Sequence, residues 1–302
     1  MGPPKKEEIE MNFKKMFATL LAGSMALSMA ACGNDSGTSS DSSNESSTVS
    51  TKEYDYSSYT GATIDAIKEK GKLVVGTEAT YPPFEFKNVD GSFGGCDIWL
   101  AQQIADALGV ELEIMDMAFD GIIPAVQSGQ VDLGIAGFTI DEERAKEIDF
   151  SDPYQEDEQM LIVKKGNENV YTSKESLAGQ QVGAQRGTIQ SKLIQSALPD
   201  SQLFELAKYP ELALEVTNGN IAGFVVDGAV GTSMVESNDQ LAIANFQFDP
   251  EEANFGKAVV AAQDKDDLTA LVNAVIANVT TDGSFDAAYT QAEEQAQELG
   301  LE

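Results

Sequence analysis

Few side chains in this sequence can carry chemistry, and Arg144 is the most informative of them. It follows Thr139-Ile140-Asp141-Glu142, whose hydroxyl-x-x-carboxylate spacing predicts a capping box and so places Arg144 in the first turns of a helix. A guanidinium is a rigid fork suited to a carboxylate, although an arginine near a helix start more often serves as a surface ion-pair partner. Asp227 follows the apolar run 221–226, at the carboxyl end of a predicted strand, where open sheets present ligands; a plain helix cap is the competing reading. Gly187 and Thr188 stand where a helix should open, and the first N–H groups of a helix favour an anion. There is no histidine, so the usual general base and the commonest neutral metal ligand are missing. Glu78 and Asp227 are the only obvious acid–base candidates, which favours binding over catalysis and leads us to expect no metal and no cofactor.

These residues must be held by a scaffold of limited size. The chain has 302 residues, and setting aside roughly the first sixty leaves about 240, enough for one large α/β unit or two lobes of roughly a hundred residues each. With 19 Lys+Arg against 50 Asp+Glu the formal charge is -31, which repels polyanions and disfavours a nucleic-acid partner. The two cysteines, Cys32 and Cys96, lie in such different contexts that they do not read as a disulfide pair.

Alternating strand and helix patterns begin at Leu73. Strands are predicted at 73–76, 110–114, 131–136, 160–163, 181–184, 221–226 and 255–260. Between them lie helical patterns: one capped by Asp97 with Ile98, Ala101, Ile104, Ala105 and Leu108 on its apolar face, others at 120–128 and 189–198, and one after Thr139. Thr172 and Glu175 offer another capping box. Leu268, Leu271, Val272, Val275, Ile276 and Val279 line one face of a later helix, and a last one over 285–299 should pack through small residues such as Ala287 and Ala288. Segments 128–133 and 218–223 echo each other, a helix stop followed by an apolar strand, as two similarly built lobes would require. The strand–helix alternation predicts largely parallel sheets with helical faces.

Ahead of this module, Lys14 and Lys15 precede an apolar run over 16–31, the order of a secretory signal peptide and too short and Ala/Ser-rich for a permanent span. It ends Met29-Ala30-Ala31-Cys32-Gly33, which resembles a bacterial lipobox and implies diacylation of Cys32 with cleavage before it. Codons for Lys6-Glu7-Glu8 would suit a ribosome-binding site with Met11 as the start. After Cys32, Ser, Thr, Gly, Asn and Asp dominate, so 32–58 is expected to be a disordered linker on a lipid anchor.

The run Gly76-Thr77-Glu78-Ala79-Thr80-Tyr81-Pro82-Pro83-Phe84-Glu85-Phe86, then Thr139-Ile140-x-Glu142-x-Arg144, then Ile148-Asp149-Phe150-Ser151-Asp152-Pro153-Tyr154, resembles the bacterial extracellular solute-binding proteins of family 3, the polar amino-acid binders of ABC transporters. The likeness extends over roughly 73–299. It implies an α/β, two-lobe periplasmic-binding-protein-like fold of type II with a two-strand hinge: lobe 1 over 59–159 and 256–302, lobe 2 over 160–255, and crossings near 160–164 and 250–256. It also implies roles. Arg144, Thr139, Gly137 and Thr188 would hold a ligand carboxylate and Asp227 its ammonium, while Glu78, Tyr81, Phe119 and Gln185 would surround its side chain. An acidic Glu78 tilts the ligand toward arginine, lysine, histidine or glutamine. The implied partner is an ABC permease and the implied state a monomer anchored through Cys32.

The sequence departs from the family's pattern at Cys96 and Trp99, near a helix start, and at Ala222-Gly223, where relatives commonly carry Asp-Ala. Cys96 reads as a small buried hydrophobe, and Gly223 inside a strand should cost about 0.5–1 kcal/mol relative to alanine. The rival readings are a dehydratase-like enzyme on the same fold, a sensory or adhesion lipoprotein, and an engineered amino-acid sensor.

Overall fold

The computed structural model describes residues 52–253 and 255–301. The signal-like run and Cys32 lie outside them, as does most of the expected linker. Two five-stranded sheets form the frame. In the first, β1 (Lys72–Thr77) runs parallel between β5 (Glu111–Asp116) and β6 (Leu133–Gly134), and β15 (Val260–Ala262) then β7 (Ile148–Phe150) complete the order β5-β1-β6-β15-β7. Residues Leu73 to Thr77 are all buried, as a central parallel strand covered on both faces demands, whereas the edge strand β5 alternates between exposed and half-buried positions. A small sheet of β2 (Thr80–Tyr81), β3 (Glu85–Lys87) and β4 (Phe93–Gly94) stands beside it. The second large sheet has the order β11-β10-β12-β9-β13, built from β9 (Gln159–Lys164), β10 (Gln181–Gln185), β11 (Gln202–Leu206), β12 (Gly223–Asp227) and β13 (Leu241–Ile243).

Helices α1 (Ala62–Lys70), α2 (Cys96–Leu108), α3 (Phe119–Gln127), α8 (Asp266–Thr281) and α9 (Ser284–Leu299) belong to the first lobe. Helices α4 (Ile189–Ala197), α5 (Tyr209–Asn218), α6 (Gly228–Ser237) and the single turn α7 (Pro250–Ala253) belong to the second. The six apolar residues expected on one face of α8 are all buried. In α9 the small contacts fall at Ala288, Ala292 and Ala296, and Ala287 is exposed because it lies off that stripe.

The chain crosses between the lobes at β8 (Gln155–Asp157) and β14 (Phe255–Lys257), which pair antiparallel. The segment 160–164, read from sequence as a crossing, is instead the body of β9, hydrogen-bonded to β12 on one side and β13 on the other. The reason is composition: Leu161, Ile162 and Val163 are fully buried and need a covered sheet, while polar Gln155-Glu156-Asp157 suits a narrow ribbon. The strand expected over 255–260 is likewise split into β14 and β15.

Three expected helix starts differ. Thr139 forms a β-bridge with Lys257, and only a three-residue 3-10 turn, Arg144–Lys146, follows. Its backbone is committed to the ribbon, so no capping box forms. Near Thr172 only a three-residue 3-10 turn, Glu175–Leu177, forms, and Ser173 Oγ, in place of Thr172, accepts from Ser176 N–H at 3.4 Å. Asp97 lies inside the first turn of α2, preceded by Gly95, and its side chain caps nothing there. The expected linker also ends earlier than 58. Tyr54 donates to Asp282 and Asn278 donates to Tyr56, while Tyr56 and Tyr59 lie against the main core; three closely spaced tyrosines supply the apolar ring area that a Ser/Thr-rich segment lacks.

Gly223 proves structural. A Cβ there would lie 2.5 Å from the Ile162 carbonyl oxygen of β9, so the usual cost of glycine in a strand is outweighed by a backbone clash. Gly223→Ala should destabilise the fold by about 1–3 kcal/mol, read as a lower urea midpoint; a rise in that midpoint would refute the close approach.

Candidate functional site

The loops that leave the carboxyl ends of the strands face each other across the two lobes. A narrow cavity of about 20 Å³ lies between them, and all nine residues singled out for ligand contact line it: Glu78, Tyr81, Phe119, Gly137, Thr139 and Arg144 from the first lobe, Gln185, Thr188 and Asp227 from the second. Glu85, Ala136, Ile189, Gln190 and Tyr209 also line it and were not anticipated. Two of these had a legible signal: Gln190 sits beside Thr188 in the first turn of α4, and Tyr209 opens the helix after β11, at the same sheet edge.

Arg144 spans the cleft. Its Nη1 donates to the Thr139 carbonyl at 3.1 Å and its Nη2 to the Gly187 carbonyl of the other lobe at 2.7 Å. The guanidinium carbon lies 5.7 Å from the ring centres of both Phe119 and Phe138, which stack on each other at 4.7 Å. Phe119 therefore floors the arginine, a cation–π arrangement that holds the fork flat. Thr188 is the N-cap of α4, accepting from Ser191 N–H at 3.4 Å and donating to the Gln185 carbonyl at 2.6 Å. Gly137, expected to offer its N–H to a ligand, instead donates it to Asp97 Oδ2 at 2.7 Å. That donor is already committed.

Glu78 is 2% exposed and also bridges the lobes, accepting from Thr80 Oγ1 at 2.7 Å and Gln185 Nε2 at 3.2 Å and pairing with Lys208 at 3.4 Å. Burial pushes its pKa up, against the opposing pull of Thr80, Lys208 and Gln185. Further contacts tie the rims: Arg186 to Asp120 at 3.8 Å, and Lys192 to Asp141.

Asp227 occupies the N-cap position of α6, but its side chain makes no capping bond there. Its Oδ1 accepts from Gln159 Nε2 at 2.5 Å and Gln190 Nε2 at 3.1 Å; its Oδ2 accepts from Tyr81 Oη and Lys257 Nζ, each at 2.5 Å. Four donors fill the lone-pair positions of a carboxylate. Lys257, on hinge strand β14, is 1% exposed; its ammonium lies 4.7 Å from the Phe84 ring centre and 4.0 Å from Asp157. Sequence reasoning passed over it, although a lone lysine within Phe-Gly-Lys-Ala-Val-Val is a charge inside an apolar crossing, which requires a buried partner.

The model of the bacterial extracellular solute-binding proteins, family 3, matches residues 73–292. The chain belongs to this family. It is 32% identical over 225 residues to the L-cystine-binding protein TcyJ of Escherichia coli, covering 74% of this chain and 83% of that one. It is 34% identical to the glutamine-binding protein GlnH of Bacillus subtilis, covering 75% and 83%. Among solved structures, the substrate-binding protein AbpA of Streptococcus pneumoniae bound to L-arginine superposes with a TM-score of 0.74 at 37% identity, covering 79% of this chain and 99% of that one. All three are substrate-binding proteins.

In this solute-binding protein Lys257 joins the hinge to the cavity. Burial pulls its pKa down, but the charges of Asp227 and Asp157 outweigh that and leave it above the ordinary lysine value of 10.5. A folded-state pKa above the unfolded one means the pair stabilises fully below about pH 10.5 and is lost as pH rises through the folded value. Lys257→Met should cost about 3–5 kcal/mol in urea unfolding at neutral pH by leaving Asp227 buried without its cation, and the alkaline loss of stability seen in the parent should shrink. A neutral substitution would show the pair to be dispensable.

Proposed function

We propose that this protein captures a small polar or basic amino acid between its lobes and delivers it to an ABC permease outside the cytoplasm. One observation carries the reading: Arg144 and Asp227, of opposite charge and from opposite lobes, line the same cavity. A zwitterion supplies the complement to both, and only a closed cleft lets both act on it. The family's membership and the amino acids named for its members support the same ligand class and the same permease partner.

The geometry refines the roles. Arg144 now spends one N–H on the Gly187 carbonyl, and a ligand carboxylate arriving at the fork would take that place while Thr188 and the first N–H groups of α4 face it from the second lobe. Because four protein donors surround Asp227, a ligand ammonium enters by displacing the longest of them, Gln190 at 3.1 Å. At the other end, Glu78 and Gln185 favour a side chain with a cationic or amide tip: arginine, lysine, histidine or glutamine. The L-arginine seated in the Streptococcus pneumoniae protein supports arginine among these.

A calorimetric screen of the common amino acids plus cystine should rank arginine, lysine, histidine or glutamine first; leucine or glutamate at the head would overturn the ligand choice. Arg144→Ala removes a charge-assisted fork worth about 1.5–3 kcal/mol, so affinity for the best ligand should fall between about tenfold and 150-fold. An unchanged isotherm would remove Arg144 from the site.

We also propose that Cys32 carries the lipid. No described helix is long and apolar enough to cross a membrane, so retention at the cell surface would depend on that anchor. Cells expressing Cys32→Ala should release the protein to the medium or periplasmic fraction, whereas continued membrane retention would refute lipidation at this residue.

A further inference from the structure

Two buried carboxyl groups of the first lobe are not among the charges assigned to the zwitterion, although Glu85 reaches the cavity wall. Glu85, the first residue of β3, is 1% exposed, and Asp97, in the first turn of α2, is wholly buried. The backbone forces them together. Cys96 N–H donates to the Pro83 carbonyl at 3.1 Å and Asp97 N–H to the Phe84 carbonyl at 2.9 Å. Gly95, at φ 113°, makes this approach possible, since a Cβ there would stand 2.1 Å from the Phe84 oxygen. Asp97 Oδ2 accepts from Gly137 N–H and from Tyr154 Oη at 3.0 Å. Asp97 Oδ1 and Glu85 Oε2, both buried, have no hydrogen-bond partner among the described residues.

The two carboxyl groups interact side chain to side chain, and each keeps one buried oxygen without a partner. Two carboxylates in hydrogen-bond contact cannot both be ionised in a dry site, and one proton placed between them satisfies both. We infer that Glu85 is a positioning residue, held as the neutral acid and donating its proton to Asp97, which in turn fixes the Gly137 backbone at the floor of the cavity. From Gly137 the chain leads directly to Thr139, whose carbonyl seats Arg144, so the inference rests on the capture reading for its functional consequence. The surrounding charges agree with this assignment. Glu78 faces Glu85 from the turn after β1, Cys96 and Asp97 from α2, Tyr154 from the segment before β8, and Lys257 from β14. Burial, then the charges of Asp97 and Glu78, push Glu85 well above the usual carboxylate range, and Lys257 only partly opposes them. Asp97 is raised by burial too, but Gly137 N–H, Tyr154 Oη and Lys257 favour its ionised form, so it accepts.

The test compares Glu85→Gln, which keeps a neutral donor, with Glu85→Leu, which has none. The folded parent holds one proton more than the unfolded chain above the ordinary glutamate pKa, so its stability falls with rising pH: that proton raises the unfolding constant by up to about tenfold per pH unit until Glu85 itself ionises. Glu85→Gln should lack this single-proton slope and bind arginine within about threefold of the parent, whereas Glu85→Leu should weaken binding at least tenfold. Identical pH slopes for parent and Glu85→Gln would show Glu85 to be ionised in the folded protein and would overturn the inference. Loss of arginine but not glutamine binding in Glu85→Gln would do the same, by making Glu85 a direct charge contact. If no amino acid bound the parent, the capture reading would fail while the pH slopes still decided the protonation of Glu85.

Discussion

A lysine ammonium with 1% exposure, carried on a hinge strand, meets the aspartate that ends the central strand of the second lobe. Much else is arranged around that pair. Buried charges are tolerated only where partners surround them, and here Gln159, Gln190 and Tyr81 complete the shell of Asp227 while Phe84 offers its ring to Lys257. Tyr81 comes from the first lobe, Lys257 from the ribbon, and the two glutamines from the second lobe. A contact of this kind ties three parts of the chain to one point, and the cavity opens beside it.

The polar links across the cleft have a different character. Arg144 to Gly187, Glu78 to Gln185 and Lys208, Arg186 to Asp120 and Lys192 to Asp141 are directional contacts between groups that water also solvates well. At the exposed rim, as between Arg186 and Asp120, such contacts are individually worth little, whereas Glu78 and Gln185 meet in a buried part of the cleft. A closure built from them is easily reversed, which suits a protein that has to release what it holds. The main apolar core, by contrast, runs continuously through both lobes, and Tyr81 of the first lobe packs on Tyr209 of the second with ring centres 5.2 Å apart.

Much of this was legible in the sequence. The apolar stripe of α8, the helix opened by Thr188 and the strand ending at Asp227 are local patterns, and periodicity or capping chemistry reveals them directly. Eight of the nine expected cleft residues converge for a related reason: each lies at or just beyond the carboxyl end of a strand, and sheets bring those ends to one edge, while Arg144 reaches the cleft from the 3-10 turn that precedes β7. What escaped detection were long-range pairings. Lys257 and Gln159 gain meaning only once β14 and β9 are placed against β12. The capping spacing at Thr139 misled because a bridge to Lys257 had already claimed that backbone, and Gly223 looked like a defect until the path of β9 was known. In the first lobe Asp132 pairs with Lys70 and accepts from Val74 N–H, whereas the echoing position of the second lobe is Ala222, so two similar frames are stabilised by different chemistry.

Trp99, the single indole of the chain, lies edge-on to Phe285 at 6.4 Å within the first lobe and is absent from the cavity wall. Its natural emission therefore monitors the melting of that lobe and stays largely blind to what occupies the cleft. An optical reporter of occupancy has to be installed, and Phe119, whose ring already faces the guanidinium, is the place where a second indole would see the ligand arrive.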